Sequence, residues 1–251
     1  MKVVKFGGSS LASGNSVDKA LSIINADPER QVVVVSAPGK RTEDDIKVTD
    51  LMITYAYMSL RSNNYQDIAT RIFKRYELIA QYFELPEAEL EDINQLLLTL
   101  PKLSYPNNDY RMATFKAHGE RLNAILIAKI LNHQGIKARF LEPKDVGLIV
   151  TGTSNNAEVN PETYVNLKRI KAAKDEKIIF PGFYGITPSG HIATFSRGGS
   201  DITGAILARG LNADLYENFT DVDAIFSANP HIVDQPKPIK RMTYQEMREL
   251  S

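Results

Sequence analysis

Several short stretches of this 251-residue sequence carry side chains suited to holding a small charged molecule. In Ser196-Arg197-Gly198-Gly199-Ser200-Asp201, two adjacent glycines let backbone approach a ligand without a Cβ in the way. Arg197 adds a permanently charged planar fork that suits a carboxylate or a phosphate. Ser200 or Asp201 would start a helix, whose free N–H groups attract anions. A second glycine pair follows a lysine in Lys5-Phe6-Gly7-Gly8-Ser9-Ser10. Ser36-Ala37-Pro38-Gly39-Lys40-Arg41-Thr42 combines two hydroxyls with two cations, and Thr220-Asp221 places a hydroxyl beside an acid. Glu120 follows Gly119 inside a helical pattern, where glycine costs about 1 kcal/mol against alanine. Either another element approaches closely there, or Glu120 must face a ligand such as an ammonium group. Taken singly, each glycine motif fits a plain strand-to-helix turn equally well.

The elements that must position these residues are legible as alternating runs. Lys2 to Phe6 reads as a strand, followed by a helix through Val17, Ala20, Leu21 and Ile24 with Ser16 as N-cap. Gln31 to Val35 has the composition of a parallel strand buried on both faces. From 48 to 113 helical spacing dominates, punctuated by prolines, which suggests a helical insertion whose tyrosines fill a core. A further helix carries Glu120 and continues through Leu122, Ile125 and Leu126. Short strands are expected at 138–141 and 147–150, a polar loop at 151–161, then a helix through Tyr164, Leu167, Ile170 and Lys171. A buried strand at 177–180 precedes a hairpin over 183–195. A helix from Ser200, a strand at 213–218 and a closing helix at 242–250 complete the chain. If the sheet is parallel, the charged loops share its carboxyl edge, where open α/β sheets bind ligands.

Composition narrows the chemistry. Lys plus Arg and Asp plus Glu balance at 30 each, so no global field favours nucleic acid or an anionic membrane. There is no cysteine, which excludes disulfides and thiolate zinc sites. His118, His133, His191 and His231 lack metal-ligand spacing, and no metal site is expected. Neither a signal peptide nor a membrane span is legible. The pattern is that of a cytoplasmic protein.

Lys5-Phe6-Gly7-Gly8-Ser9-Ser10, Phe180-Pro181-Gly182-Phe183, Ser196-Arg197-Gly198-Gly199-Ser200-Asp201, Thr220-Asp221-Val222-Asp223 and Met242-Thr243-Tyr244-Gln245-Glu246-Met247 occur in this order. Together they give the chain a resemblance to the catalytic domain of the aspartokinases, within the amino-acid kinase superfamily, over nearly its whole length. The resemblance implies a three-layer α/β/α sandwich around a mainly parallel sheet. Residues 1–251 would be one catalytic domain, with a helical insertion at about 48–113 and a nucleotide-binding part at about 196–251. The regulatory ACT domains that usually follow would be absent. The implied reaction moves the γ-phosphoryl of ATP, supplied with Mg2+, to the β-carboxylate of L-aspartate, the first step toward lysine, threonine and methionine.

By position, Lys5 would neutralise the transferred phosphoryl, with Phe6, Gly7 and Gly8 beside the nucleotide and the two glycines giving backbone donors. Ser36, Thr42, Glu120, Phe183, Arg197 and Ser200 would surround aspartate, with Arg197 on a carboxylate and Glu120 on the ammonium. Asp201 would orient Lys5, while Thr220, Asp221, Phe226 and His231 would face the nucleotide. Phe226 stands where the family often has tyrosine, and Asn229-Pro230-His231 stands where it usually reads Asp-Pro-Arg. A homodimer is one assembly open to such a chain.

The chemistry agrees with the residue types. An aspartate side chain with a reference pKa of about 3.9 is already ionised and needs no general base. Positioning and charge neutralisation suffice, as in phosphoryl transfer generally. Magnesium would arrive mainly with the nucleotide. Another amino-acid kinase of the same fold, or a non-catalytic ligand-binding domain, stays open. Glu120 and the Ser9-Ser10 pair favour aspartate.

Overall fold

Runs of branched aliphatic residues build the sheet, and their alternation divides its two faces. The computed structural model describes residues 1–61, 65–173, 175–196, 198–220, 233 and 237–239. Its strands are β1 (Lys2–Phe6), β2 (Arg30–Val35), β3 (Ala138–Phe140), β4 (Val150–Thr153), β5 (Asn156–Val159), β6 (Lys177–Pro181), β7 (Tyr184–Ile186), β8 (Ile192–Thr194) and β9 (Leu215–Phe219). Its α-helices are α1 (Gly14–Asn25), α2 (Val48–Arg61), α3 (Gln66–Tyr82), α4 (Glu91–Thr99), α5 (Asn108–His133), α6 (Glu162–Leu167) and α7 (Gly199–Gly210). The central sheet runs β3-β6-β2-β1-β9, and each of these pairings is parallel.

Successive residues of a strand point to opposite faces. Val4, Phe6, Val33, Val35 and Ile179 therefore pack with α1, α5 and the helices between them, while Val3, Val32, Val34, Ile178 and Phe180 pack with Leu167 of α6 and Ile206 and Leu207 of α7. This is a helix–sheet–helix sandwich. Backbone contacts divide the chain into two units, Met1–Phe219 and Thr220–Ser251. Within the described residues no helix is long and apolar enough to cross a membrane.

Several local expectations are corrected. α1 is capped by Ser13, whose hydroxyl accepts from the Ser16 amide at 3.3 Å, and not by Ser16 itself. The expected strand at 147–150 starts only at Val150, and the polar stretch 151–161 is largely the β4–β5 hairpin. α6 ends at Leu167, short of Ile170. The helix bearing Glu120 begins at Asn108, capped by Asn107, so it overlaps the region read as an insertion. Tyr55 and Tyr76 are fully buried core residues, and β7 and β8 form the expected hairpin. The closing helix expected at 242–250 lies outside the described residues.

Candidate active site

Alternation along β1 fixes the first element of the site. Lys5 shares its face with Val3, so it emerges toward α7 at the carboxyl end of the strand. Asp201 lies in the first turn of α7. Its Oδ1 sits 2.8 Å from Lys5 Nζ, an ion pair that falls short of a directed hydrogen bond. The lysine side chain is 9% exposed and the aspartate 44%. Two glycines border this pair. A Cβ on Gly7 would stand 3.6 Å from Lys5 Nζ, and one on Gly198 would stand 3.7 Å from Asp201 Oδ2. The Gly7 amide itself donates to the Phe219 carbonyl at 3.3 Å.

α7 starts without a side-chain cap. Gly198 takes φ +70°, open to glycine at little cost, and the helix begins at Gly199, ahead of both Ser200 and Asp201, the starts expected from sequence. Those two side chains are used otherwise. Asp201 pairs with Lys5, and Ser200 is buried so close to Gly182 that a Cβ there would lie 2.5 Å from the hydroxyl. Phe183 also has a positive φ, +79°, a strained conformation for a bulky residue. It is held by its amide, which donates to Thr203 Oγ1 at 3.0 Å, and by its carbonyl, which accepts from Phe195. Backbone strain fixed from both sides is characteristic of functional positions.

The third wall is α5. A Cβ on Gly119 would come within 2.9 Å of the Ala37 methyl, so this glycine allows the helix to approach the segment after β2. Close packing brings Glu120 to Ala37, and Asn123 Nδ2 donates to the Ser36 carbonyl at 2.7 Å. Glu120 is 5% exposed, and its Oε2 has no hydrogen-bond partner among the described residues. Burial raises its pKa to about 8, against opposing pulls from the Ala37 amide and Lys116. A buried carboxylate oxygen without a donor is costly unless something binds it.

The segment from Ser36 to Lys47 is pinned from behind. Arg75 of α3 donates to the Gly39 carbonyl at 2.6 Å and to the Ile46 carbonyl at 2.7 Å, and it pairs with Asp45 at 3.2 Å. The Gly39 amide in turn donates to the Gly8 carbonyl at 2.8 Å. A chain of contacts thus runs from α3 to the first glycine loop. Arg41, and behind it Arg75, hold the Asp45 carboxyl well below the usual range.

The structure therefore gathers Lys5, Gly7 and Asp201 at one point, Ser200 and Phe183 around α7, and Ser36, Gly8 and Glu120 along the β2 segment. Thr42 is exposed on that segment, and no hydrogen bond or ion pair joins its side chain to the other described candidates. Phe6 turns its ring into the core, stacked on Phe219 at 5.0 Å. Thr220 directly follows β9. Arg197, Asp221, Phe226 and His231 lie outside the described residues. Among the described residues no group of three or more His, Cys, Asp or Glu converges as a metal site. A cavity of about 570 Å³ between Arg139, Lys144, Gly147, Asn166 and Arg169 involves none of the candidates.

Sequence reasoning missed Asn123, Thr203, Arg75 and Lys116. Helical spacing could have found two of them, because Lys116 and Asn123 stand four residues before and three after Glu120 and so share its face. Arg75 had no local signal, since its partners, two backbone carbonyls and the Asp45 carboxylate, lie far along the chain.

A family model described as the amino acid kinase family matches residues 1–251. Aspartokinase 3 of Bacillus subtilis is 51% identical over 251 residues, which cover 100% of this chain and 55% of that protein. Among solved structures, the aspartate kinase of Clostridium acetobutylicum superposes with a TM-score of 0.81 at 34% identity, covering 99% of this chain and 54% of its own. Aspartokinase III of E. coli, solved in complex with lysine and aspartate, gives a TM-score of 0.81 at 25% identity, covering 95% of this chain and 53% of its own. The chain spans about half the length of these relatives.

Proposed function

The chain belongs to the amino acid kinase family, and from that premise we propose that it carries the catalytic site of an aspartate kinase. The reaction is transfer of the γ-phosphoryl of ATP to the side-chain carboxylate of L-aspartate. A carboxylate oxygen forms the new O–P bond, the bond from the γ-phosphorus to the β–γ bridging oxygen breaks, and ADP leaves with that electron pair. The products are 4-phospho-L-aspartate and ADP, and no proton need move in the transfer itself.

The observation that carries this reading is Glu120. Its buried oxygen has no hydrogen-bond partner among the described residues and is open to a donor, which a free α-ammonium supplies as a cation and an N-acylated amino acid does not. The aspartate bound to the E. coli relative and the 51% identity to a Bacillus subtilis aspartokinase support the same substrate.

The remaining residues take the roles that the resemblance to the aspartokinases implies. Lys5 would sit against the transferred phosphoryl, where a fixed cation stabilises charge spread over equatorial oxygens. Asp201 would hold the lysine in one rotamer. Phe183 and Ser200 would line the pocket floor, and Ser36, fixed through its carbonyl by Asn123, would edge it. Arg197 and Thr42 would reach the amino acid, and Thr220, Asp221, Phe226 and His231 the nucleotide. Nucleotide-borne Mg2+ is part of the proposal, but the described residues form no cage for it, and no role above depends on it.

A substrate panel tests the reading. ADP release should be fast with L-aspartate and at least a hundredfold slower with L-glutamate or N-acetyl-L-glutamate. Preference for N-acetyl-L-glutamate would contradict the role given to Glu120 and move the assignment to another kinase of the same family.

A further inference from the structure

The chain leaves β6 through Phe183, whose φ of +79° turns it into the β7–β8 hairpin, a separate sheet. At that turn the central ladder stops setting position, and side chains take over. One carboxylate reaches both the turn and α5. Glu142 follows β3 and is placed by the sheet, because the Leu141 amide donates to the Ile179 carbonyl of β6 at 3.0 Å. Tyr184 of β7, fully buried, donates its hydroxyl to Glu142 Oε1 at 2.7 Å. Arg121 of α5 brings its Nε to 2.8 Å from Glu142 Oε2, an ion pair that falls short of a directed hydrogen bond. The arginine is steadied in turn by His118. His118 Nδ1 lies 2.8 Å from the Thr114 carbonyl, which can only accept, so Nδ1 carries the proton and Nε2 accepts from Arg121 Nη1 at 3.1 Å. Burial, with the Arg121 guanidinium beside it, pushes the His118 pKa down to about 3 and keeps the ring neutral for that role.

We propose that Glu142 is a positioning residue for aspartate binding, one that holds the Phe183 turn and α5 at a fixed separation. The inference rests on the aspartate kinase reading above. Arg121 and Tyr184, the two groups fastened by Glu142, directly follow Glu120 and Phe183, the two residues placed there against aspartate. A displacement of either partner therefore passes straight to a binding residue. The strained φ of Phe183 persists only where its surroundings over-determine it. Thr203 and Phe195 hold its own backbone, and Glu142 holds the residue after it. The Glu142 carboxylate is engaged by partners from two elements and its side chain is 12% exposed, so it acts through those partners and not on the ligand. Neutralising Arg121 alone would not call for the Tyr184 oxygen, since a buried phenylalanine has no hydroxyl to satisfy.

The test compares the wild type with Tyr184→Phe, Glu142→Leu and the double variant, with Glu142→Gln as the conservative change that keeps an acceptor for the tyrosine. ADP release gives kcat and the KM values for aspartate and ATP, and thermal unfolding is followed alongside. Tyr184→Phe removes one oxygen and leaves the ion pair in place. It should raise the aspartate KM about tenfold, as expected for losing a hydrogen bond to a charged group, with the KM for ATP kept within about twofold. Glu142→Gln should raise the aspartate KM less than Glu142→Leu does. The double variant should raise it no more than Glu142→Leu alone, because both changes act through the same bond. Should Glu142→Leu fail to fold, Tyr184→Phe and Glu142→Gln decide the matter. A merely structural Glu142 would lower the unfolding temperature of these variants and leave the aspartate KM of the folded enzyme unchanged. If the wild type phosphorylates aspartate while folded Tyr184→Phe keeps its aspartate KM within about twofold, or raises both KM values alike, the inference is overturned and the kinase reading stands. A wild type that does not phosphorylate aspartate overturns the kinase reading and the inference with it.

Discussion

Replacing Gly119 by alanine sets two effects of similar size against each other. In an unobstructed helix the change stabilises by about 1 kcal/mol. In α5 the new methyl would lie 2.9 Å from the Ala37 methyl, whereas carbon atoms attract best at about 3.5–4.0 Å. The helix and the segment after β2 must then part by roughly 0.6–1 Å. Overpacking of this kind costs about 1–3 kcal/mol, so the net loss is about 0–2 kcal/mol after the propensity gain. The functional effect should exceed the stability effect, because the same displacement loosens the 2.7 Å bond from Asn123 to Ser36 and carries Glu120 away from Ala37. Ala37→Gly removes the opposing methyl and should restore both quantities in the double variant. Denaturant unfolding and aspartate KM, measured for the wild type, both single variants and the double variant, give a complete cycle. The expected coupling is about 1–2 kcal/mol, with the single variant raising KM about tenfold or more. If Gly119→Ala is more stable than the wild type, has unchanged KM and adds independently to Ala37→Gly, close approach is not the reason for this glycine.

Three other outcomes follow from the same geometry. Lys5→Met should lower kcat about 10²–10³-fold while calorimetry finds aspartate affinity largely kept, and it should still fold because Asp201 is half open to water. Arg75→Lys keeps the charge but loses the fork on Gly39 and Ile46; it should cost about 2–4 kcal/mol and speed hydrogen exchange over residues 39–47. The folded protein keeps Glu120 protonated up to about pH 8, whereas the unfolded chain releases that proton near pH 4.3. The native state thus binds the extra proton between these values, so the Glu120 contribution to stability falls as pH rises through that window and levels off above pH 8. Glu120→Gln should abolish this slope, and aspartate affinity in the wild type should climb by up to about tenfold per unit toward pH 8, with proton release.

What the sequence disclosed, and what it hid, has a physical pattern. Val32 to Val35 could only be a strand buried on both faces, and Lys5 at the end of an alternating run had to emerge at the carboxyl edge. Those are local rules with little competition. The start of α1 was misread because Ser13 and Ser16 both suit a cap. Contact settles it, since a Cβ on Gly14 would lie 2.2 Å from Tyr82 Cβ, and only glycine lets the helix begin that close to α3. The start of α7 was misread because Ser200 and Asp201 look like caps, but Ser200 is buried against Gly182 and Asp201 pairs with Lys5. The β4–β5 hairpin was read as a loop because most of its side chains face water, leaving no apolar alternation to see. Gly119 was recognised as unfavourable in a helix, but the residue it accommodates, Ala37, is more than eighty positions away and invisible to any local pattern.

The central claim is that the side-chain carboxylate of aspartate is the group that receives the phosphoryl. Its most direct measurement is 31P NMR of the reaction with ATP and L-aspartate carrying ¹⁸O in the β-carboxylate alone. A new acyl-phosphate resonance should form with the isotope shift of a phosphorus bonded to ¹⁸O, because the attacking oxygen becomes the bridging atom. ADP should accumulate in equal amount. An acyl phosphate without the isotope shift would mean that another oxygen attacks, and no acyl phosphate with the ligand bound would mean that the site binds aspartate without transferring phosphate.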